Sequence, residues 1–293
     1  MFKNNSSINS IVLRLSTDKP VRKTPYQVKG LIIKTFPDEP IVPFIDGSYR
    51  NQYLYPRVQV KILNEQIHFV GIKEGVEPIL SVVEKLECMD FGNITFIIKN
   101  KEIGVEKDKL KPVSKQIRYK FLTPWIALNN ANLKKFKTLH DDNKIQFLLK
   151  LLNQNIIFIA KELGIKLNNK VHSELKLDSL FPKIVNDGQV GAFTGEFQTN
   201  FLLPNFLGIG IGITKGYGVM FGQYNPSDFN FDSKITTPTT IDGKSIEIPS
   251  QKSPIKTSGS IPMQMSNQQK SLEPDSKEPN YNKTKFHLRK HND

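Results

Sequence analysis

Five glycines lie within eleven positions of the segment LPNFLGIGIGITKGYGVMFG at 203–222. They are Gly208, Gly210, Gly212, Gly216 and Gly218, and Lys215 lies between them. Because glycine has no Cβ, its backbone N–H groups approach a phosphate closely, and successive amides form a concavity that binds anions. Lys215 adds a positive charge to the same segment. This pattern indicates binding of a phosphate-bearing ligand.

Two widespread phosphate-binding motifs do not fit this segment. A dinucleotide fingerprint places GxGxxG between a strand and a helix, with an acidic residue further on, and a P-loop reads GxxxxGK[ST]. Neither arrangement surrounds the glycines at 208–218. A structural alternative is that the glycines line a tight crossing over a sheet. We favour contact with a nucleic-acid backbone because the segment belongs to a basic domain.

The histidines and adjacent carboxylates are not spaced as metal ligands. His68 lies in an apolar run that predicts a strand, where we expect it to face outward from the core in a structural role. Asp141 and Asp142 are adjacent in a turn, which is more typical of a helix N-cap than of a metal pair. The remaining histidines suggest no ligand set, and they are His140, His172, His287 and His291. We expect no metal and no cofactor.

The composition is that of a folded and strongly basic protein. Its 293 residues include 41 Lys and Arg against 28 Asp and Glu, a formal net charge of +13, and 38% are hydrophobic. Cys88 is the only cysteine, which excludes an intramolecular disulfide and a Cys-cluster zinc site. There is no run of about 18 apolar residues, and the amino terminus lacks the apolar stretch of a secretory signal. We expect a soluble protein of the cytoplasm with no membrane partner.

The composition changes at Asn225. Residues 225–293 are rich in Ser, Pro, Gln, Asn and Lys and contain few large apolar side chains, so we predict a disordered tail. The tail holds 10 basic and 8 acidic residues, which leaves 31 basic and 20 acidic residues in 1–224. The positive charge therefore belongs mainly to the folded part. Such a domain usually binds a polyanion, most commonly nucleic acid, and the alternative is a generally basic proteome.

The first half of the chain alternates between strand and helix patterns. The predicted strands are 10–16, 55–63, 67–72 and 92–99, and the predicted helices are 24–36 and 74–88. The order β-α-β-β-α-β is that of a ferredoxin-like domain, with two helices on one face of a four-stranded antiparallel sheet. RNA-recognition modules share this arrangement, but so do domains of many other functions.

The second half also mixes strands with a long helical pattern. Strand patterns near 118–122, 170–177, 190–202 and 217–224 flank a helical region at 132–163. Gly164 follows that region and is typical of a helix C-cap. We predict an α+β fold of two tandem ferredoxin-like, RRM-like domains with antiparallel sheets. The predicted domains are 1–117 and 118–224, followed by the tail at 225–293.

Several segments, in order, resemble a known protein family. They are VKGLIIKTFP (28–37), YLYPRVQVKIL (53–63), FVGIKEGVEPI (69–79), YKFLTPWIALNNANLKKF (119–136), LLKLLNQNIIFIAKELGI (148–165) and GEFQTNFLLPNFLGIGIGITKGYG (195–218). The chain from about residue 10 to 222 is similar to the CRISPR-associated repeat-RNA-processing endoribonucleases of the RAMP superfamily. The branch that it resembles has two histidines in its active-site loop.

The resemblance implies two tandem ferredoxin-like domains that grip a CRISPR repeat. Enzymes of this family cut the repeat without a metal, with the ribose 2′-OH as nucleophile, and leave a cyclic phosphate or 3′-phosphate end. Their carboxyl-terminal glycine-rich loop binds the RNA backbone.

This chain departs from the family pattern at two places. The branch reads approximately His-Asn-His before a glycine in the loop after the first helix, whereas Pro43, Phe44 and Ile45 stand here. Both histidines expected to transfer protons are therefore replaced. The glycine-rich loop of the family also tends to carry Lys-Ser where this chain has Ile211 and Gly212.

The residues after the altered loop are our candidates for the remaining chemistry. The family often uses a tyrosine there, and we predict a catalytic pair of Tyr53 and Arg50. An equal alternative is that these residues only stack on and pair with RNA. A tyrosine is a weak base at neutral pH unless a nearby cation lowers its pKa, and Arg50 and Arg57 are candidates for that cation. We expect Trp125 in the core rather than as a base-stacking platform. The predicted RNA contacts are Arg57, Lys61, Gly208, Gly210, Gly212, Lys215, Gly216 and Gly218.

Three hypotheses about function follow. The first is an endoribonuclease that binds repeat RNA and cuts precursor crRNA by a route without histidine. The second is a catalytically inactive member of the family that holds repeat or guide RNA, alone or with other CRISPR effector subunits. The third is a general RNA-binding protein, whose binding would ignore sequence and fall steeply with salt.

Overall fold

The structure is a computed structural model that describes residues 8–167, 170–185, 190–222 and 230–231. Its amino-terminal elements are β1 (Ile8–Thr17), α1 (Pro25–Thr35), α2 (Val42–Ile45), β2 (Val58–Leu63), β3 (Gln66–Ile72), α3 (Val76–Val83), β4 (Cys88–Asp90) and β5 (Thr95–Lys107). The main strands are ordered β5-β1-β3-β2, all antiparallel, and β4 pairs with β5. This is the ferredoxin-like order expected from the sequence.

Helix α1 begins and ends where its sequence signals place it. Thr24 and Gln27 form a capping box, and Pro25 occupies the first turn, where a missing N–H group costs nothing. The helix ends before Pro37, which cannot continue it. The buried face of α1 includes Val28 and also Lys29. A lysine therefore lies at a position where the helical pattern places apolar residues.

Alternation along the strands gives the amino-terminal sheet two different faces. Ile11 and Leu13 of β1 join the core beneath α1 and α3. Val12, between them in the chain, joins a second core together with Leu203 of the carboxyl-terminal half. Because successive side chains in a strand point to opposite faces, the face without helices packs against the second domain. This face is not open to solvent as a platform for bases.

The carboxyl-terminal domain repeats the strand order of the first. Its elements are β6 (Lys111–Phe121), β7 (Trp125–Leu128), α4 (Asn130–Lys137), α5 (Asp141–Glu162), β8 (Ser173–Leu177), β9 (Lys183–Val185), β10 (Val190–Phe193), β11 (Gly195–Leu202) and β12 (Met220–Gly222). The main sheet is ordered β12-β6-β11-β8, and a small sheet is ordered β7-β10-β9. Within the described residues, no second helix links β11 to β12. The glycine-rich segment fills that place, with one 3-10 turn at Ile213–Lys215.

Some predicted boundaries in the second half need correction. The helical region at 132–163 is two helices, because the chain turns between α4 and α5, where His140 and not an aspartate is the N-cap. Asp141 and Asp142 lie in the first turn of α5, where the helix dipole favours carboxylates. Strand β6 includes residues on both sides of the predicted boundary between the domains at 117 and 118. That domain boundary stays a prediction.

Most of the predicted tail at 225–293 lies outside the described residues. The exception is β13 (Asn230–Phe231), which pairs with β5 at Val105 and Gly104. No helix in the described part of the chain is long and apolar enough to cross a membrane.

Candidate nucleic-acid interface

The glycine-rich segment crosses the helix-free face of the amino-terminal sheet. It begins over β5, where the Asn205 backbone N–H donates to Glu106 Oε2 at 3.0 Å. It then passes β3, where the rings of Phe206 and His68 have centroids 5.5 Å apart. It reaches β2 at Gly208. The first part of this segment is therefore a tight crossing over a sheet, which is the structural alternative predicted for the glycines.

Two side chains near β2 fix Gly208. Its N–H donates to Gln59 Oε1 at 3.0 Å, and its carbonyl accepts from the Tyr55 hydroxyl at 2.6 Å. Gln59 Nε2 also donates to the Tyr55 oxygen at 3.1 Å, so the two side chains form a small network. A Cβ on Gly208 would lie 2.8 Å from Lys61 Nζ, so any larger residue would displace these contacts. The network joins the two domains through a buried backbone.

Two buried lysines hold the next turn of the segment. Lys61 Nζ donates to the Ile213 carbonyl at 2.8 Å, and Lys29 Nζ donates to the Thr214 carbonyl at 3.2 Å. Lys61 is 0% exposed and Lys29 is 7% exposed. Burial lowers the pKa of Lys29 to about 8, and burial together with the charge of Lys29 lowers the pKa of Lys61 to about 7.

The half-buried glycines and the exposed lysine of the segment form an edge with both amides and a charge. The backbone N–H groups of Gly210 and Gly212 have no hydrogen-bond partner among the described residues. Gly210 and Gly212 have φ of +88° and +75°, which glycine adopts without strain. Thr214 and Lys215 are exposed beside them. Two amides without a described partner and one ammonium group therefore belong to this edge.

The other three predicted glycines have a structural role. The Gly208 amide is bound to Gln59, the Gly216 amide donates to Ile213 O at 3.1 Å, and the Gly218 amide donates to Pro124 O at 2.9 Å. Their amides are therefore not free to bind a phosphate in this conformation.

The altered loop forms an aromatic cluster. Pro43, Phe44 and Ile45 lie in α2, and the Phe44 ring stacks on the Tyr53 ring with centroids 5.8 Å apart. The Arg57 guanidinium lies over the Tyr53 ring, 4.7 Å from its centroid. It thus faces the ring and not the hydroxyl oxygen, which accepts from Gln52 Nε2.

Arg50 is exposed, but Arg57 and Lys61 are not the surface contacts that the sequence predicted. Arg57 is 5% exposed, and its guanidinium donates to Glu74 Oε2, the Tyr55 carbonyl and the Glu162 carbonyl. Burial of both side chains against protein acceptors leaves neither in reach of a phosphate in this conformation. Both are instead part of the packing between β2 and the carboxyl-terminal domain.

Helix α1 lies between the two predicted parts of the site. It contacts α2, which precedes the Arg50 and Tyr53 loop, and it also contacts the 3-10 turn that carries Lys215. Pro25 at its start lies 3.1 Å from the position of a Cβ on Gly216. Helix α1 therefore contacts both the element that precedes the predicted pair and the turn that carries Lys215.

Three residues that shape this site are not among the predicted site residues: Lys29, Tyr55 and Gln59. The sequence signal that could have identified Lys29 and Gln59 is a polar side chain at a position where the pattern of the helix or strand is apolar. Lys29 follows Val28 on the buried face of α1, and Gln59 lies within the buried strand β2. In both cases the partner lies more than 140 residues away in the chain.

Two other predictions concern aromatic or imidazole rings. His68 does face away from the helices, but it is 5% exposed because the glycine-rich segment covers it. Burial lowers the pKa of His68 to about 4. Trp125 is confirmed in the core, at 0% exposure and stacked on Phe121.

The described residues contain no group of three or more His, Cys, Asp or Glu that could hold a metal.

Comparisons with known proteins identify relatives of both domains. The family model of the Cas6b N-terminal domain matches residues 6–109, and that of the Cas6b C-terminal domain matches residues 111–222. A crystal structure of Cas6b is similar with a TM-score of 0.60 and 26% identity, over 73% of this chain and 99% of that one. The crystal structure of a CRISPR RNA processing endoribonuclease, Cas6b, has the same fold, with a TM-score of 0.53 and 23% identity over 73% of this chain and 100% of that one. An uncharacterised protein of Methanocaldococcus jannaschii is 37% identical over 122 residues, which are 41% of this chain and 78% of that protein.

Proposed function

Because the chain belongs to the Cas6b family, we propose that it binds CRISPR repeat RNA and cuts precursor crRNA without a metal ion. The observation that carries the proposal is the edge at Gly210, Gly212 and Lys215, which side chains of the first domain hold in place. One relative of this fold is a CRISPR RNA processing endoribonuclease. Under this proposal repeat RNA is the principal partner, other CRISPR effector subunits are further partners, and the cytoplasm is the location.

Cutting by 2′-OH attack needs a base that takes the 2′ proton, a cation beside the phosphate, and a proton for the leaving 5′-oxygen. We propose Tyr53, reacting as its phenolate, for the first role and Arg50 for the second, while water protonates the leaving oxygen. The Tyr53 ring is held by Phe44 and Arg57, so its hydroxyl is fixed in position. A well-placed acid or base typically contributes about 10²–10⁴-fold to a rate. With a phenol in place of two histidines, we expect slow cleavage.

A second candidate function is repeat binding without cleavage. The observation that favours it is the site of the replaced histidines. Pro43, Phe44 and Ile45 have no group that can transfer a proton, and Ile45 is 9% exposed in the amino-terminal core. Binding through the glycine edge does not depend on this loop.

One experiment separates these functions. Full-length protein is incubated in EDTA with labelled repeat RNA of its host, and both gel shift and cleavage are recorded. The proposal expects one cut that leaves a 2′,3′-cyclic phosphate. The matched control is the same RNA with a single 2′-deoxy nucleotide before the cut, which should bind equally and stay intact.

Two outcomes would contradict cleavage by this chain. A shift without cutting over hours would establish the second function. Binding that is equal for scrambled RNA and falls steeply with salt would overturn both and leave a general RNA-binding protein.

A further inference from the structure

We propose that Lys29 and Lys61 are positioning residues that hold the glycine-rich edge in its RNA-binding conformation and couple RNA binding to proton uptake. This inference rests on the proposed function. It concerns two lysines of the first domain that act on the backbone of the second.

The two lysines hold consecutive carbonyl groups from two directions. Lys61 comes from β2 and binds the Ile213 carbonyl, and Lys29 comes from α1 and binds the Thr214 carbonyl. These carbonyls lie between the free Gly212 amide and exposed Lys215. Fixing both carbonyls therefore fixes the orientation of the edge that we propose binds phosphate.

In the part of the chain that the structure describes, neither lysine has an acidic partner. Among the described residues, no carboxylate lies within ion-pair distance of Lys29 or Lys61. The Tyr26 ring lies 4.2 Å from Lys29 Nζ, and α2 contains no titratable residue. In the strand register, Lys61 is opposite His68, His68 is opposite Arg14, and Arg14 is opposite Glu102. Glu102 is the only acid in this row, and it pairs with Arg14 and not with a lysine.

An anion at the edge would supply the missing negative charge. Burial disfavours the ammonium form of both lysines, which explains their lowered pKa values of about 8 and about 7. A bound polyanion favours the charged form and raises both pKa values. Binding at pH 8 then takes up protons, and affinity falls as the pH rises above the pKa values of the free protein. Deprotonation also weakens the hydrogen bonds to the two carbonyls.

The test measures RNA affinity and hydrogen exchange in the full chain. RNA affinity is measured between pH 6.5 and 9 for wild type, Lys29→Met, Lys61→Met and Lys29→Arg. Hydrogen exchange of the peptide at 203–222 is followed without RNA. The matched control is Lys34→Met, which removes an exposed lysine of the same helix.

We expect the RNA affinity of wild type to fall about tenfold between pH 7 and 9. This is the change expected when binding takes up a fraction of one proton across this range. The Met variants should bind about tenfold more weakly at pH 7 with a flatter pH profile, and exchange at 203–222 should accelerate. Lys29→Arg, which stays charged, should keep the affinity of wild type and lose part of the pH dependence. Lys34→Met should keep the wild-type profile.

The outcomes distinguish this inference from the function on which it rests. Unchanged exchange and an unchanged pH profile in folded Met variants would overturn the inference. Faster exchange with unchanged RNA affinity would instead contradict the proposed function, because the edge would be loosened without a loss of binding.

Discussion

The Tyr53 ring is contacted on several sides, and its hydroxyl oxygen accepts a hydrogen bond from Gln52 Nε2. Phe44 covers one part of the ring by stacking, and the Arg57 guanidinium covers another. Tyr49 contacts the same cluster edge-on, with centroids 6.1 Å from Tyr53. Removing the Tyr53 hydroxyl therefore leaves these ring contacts in place, so a phenylalanine tests the hydroxyl alone.

We expect Tyr53→Phe to reduce cleavage of repeat RNA by about 100-fold, because it removes the proposed proton acceptor. RNA affinity and the free energy of unfolding should stay near wild type. The measurement is single-turnover cleavage in EDTA. Tyr49→Phe, in the same cluster, is the control and should cut at the wild-type rate. Equal rates for wild type and Tyr53→Phe would remove Tyr53 from the site.

Gly218 and Gly47 differ in what surrounds them, although both have positive φ. A Cβ on Gly218 would lie 1.9 Å from the Ile209 carbonyl oxygen, whereas nothing lies within 4 Å of one on Gly47. We expect Gly218→Ala to lower the free energy of unfolding by about 3 kcal/mol and Gly47→Ala by about 1 kcal/mol. Urea unfolding measures both. Similar losses would show that backbone conformation alone makes position 218 require glycine.

At the scale of elements, β2 links the two halves of the candidate site. Val58 and Val60 enter the core beneath the helices, while Gln59 and Lys61 point to the glycine-rich segment. Apolar alternation predicts the first set directly, because its partners are neighbouring elements. The second set resembles a solvent-exposed face. Its covering segment lies about 150 residues later in the chain.

Elements are predictable from the sequence where their pattern is local in the chain. The amino-terminal order of six main elements follows from local periodicity and from Pro and Gly signals, and it is confirmed. The second domain was predicted less completely, because β7 and β9 have only four and three residues. Runs this short carry too few alternations to show a period. The glycine cluster marked the right segment, but sequence alone did not show which amides stay unpaired.

Helix α1 supports the site through its amino-terminal cap. The Thr24 side chain accepts from the Gln27 N–H, and the Gln27 side chain accepts from the Thr24 N–H. We expect Thr24→Ala to lower the free energy of unfolding by about 1 kcal/mol. Thr35→Ala, at the exposed end of the same helix, should cost less than about 0.5 kcal/mol. Equal effects in urea unfolding would mean that the capping box contributes nothing.

Among the described residues, more basic than acidic side chains are buried. Lys61, His68 and Arg14 lie in one row across the sheet with Glu102 as the only acid. The glycine-rich segment of the second domain covers Lys61 and His68, so their charges cannot be hydrated as they are in the unfolded chain. The free energy of unfolding should therefore depend on pH even without RNA.

We expect the free energy of unfolding to rise by about 2 kcal/mol between pH 4.5 and 6.5 through His68. The folded pKa is about 4 and the ordinary value is 6.5, so in this window the unfolded chain holds the proton and the folded chain does not. Urea unfolding across this range measures the slope. His68→Gln should flatten it, and exposed His172→Gln should not. Parallel slopes for both variants would assign the pH dependence to other groups.

In the alkaline range, titration of the two lysines should make folding more stable but RNA binding weaker as the pH rises. Between about pH 7 and 9.5 the unfolded chain keeps protons on Lys29 and Lys61 that the folded chain has lost, so folding becomes more stable as the pH rises. RNA binding should weaken over the same range, because the bound state takes those protons back. Measuring both in one buffer series tests the coupling, since loss of binding through unfolding would make both curves fall together. The buffer series should end below pH 10. Burial raises the pKa of Tyr55 and of Tyr119, so above pH 10 the folded chain keeps protons that the unfolded chain has lost, and the stability of the fold decreases as the pH rises.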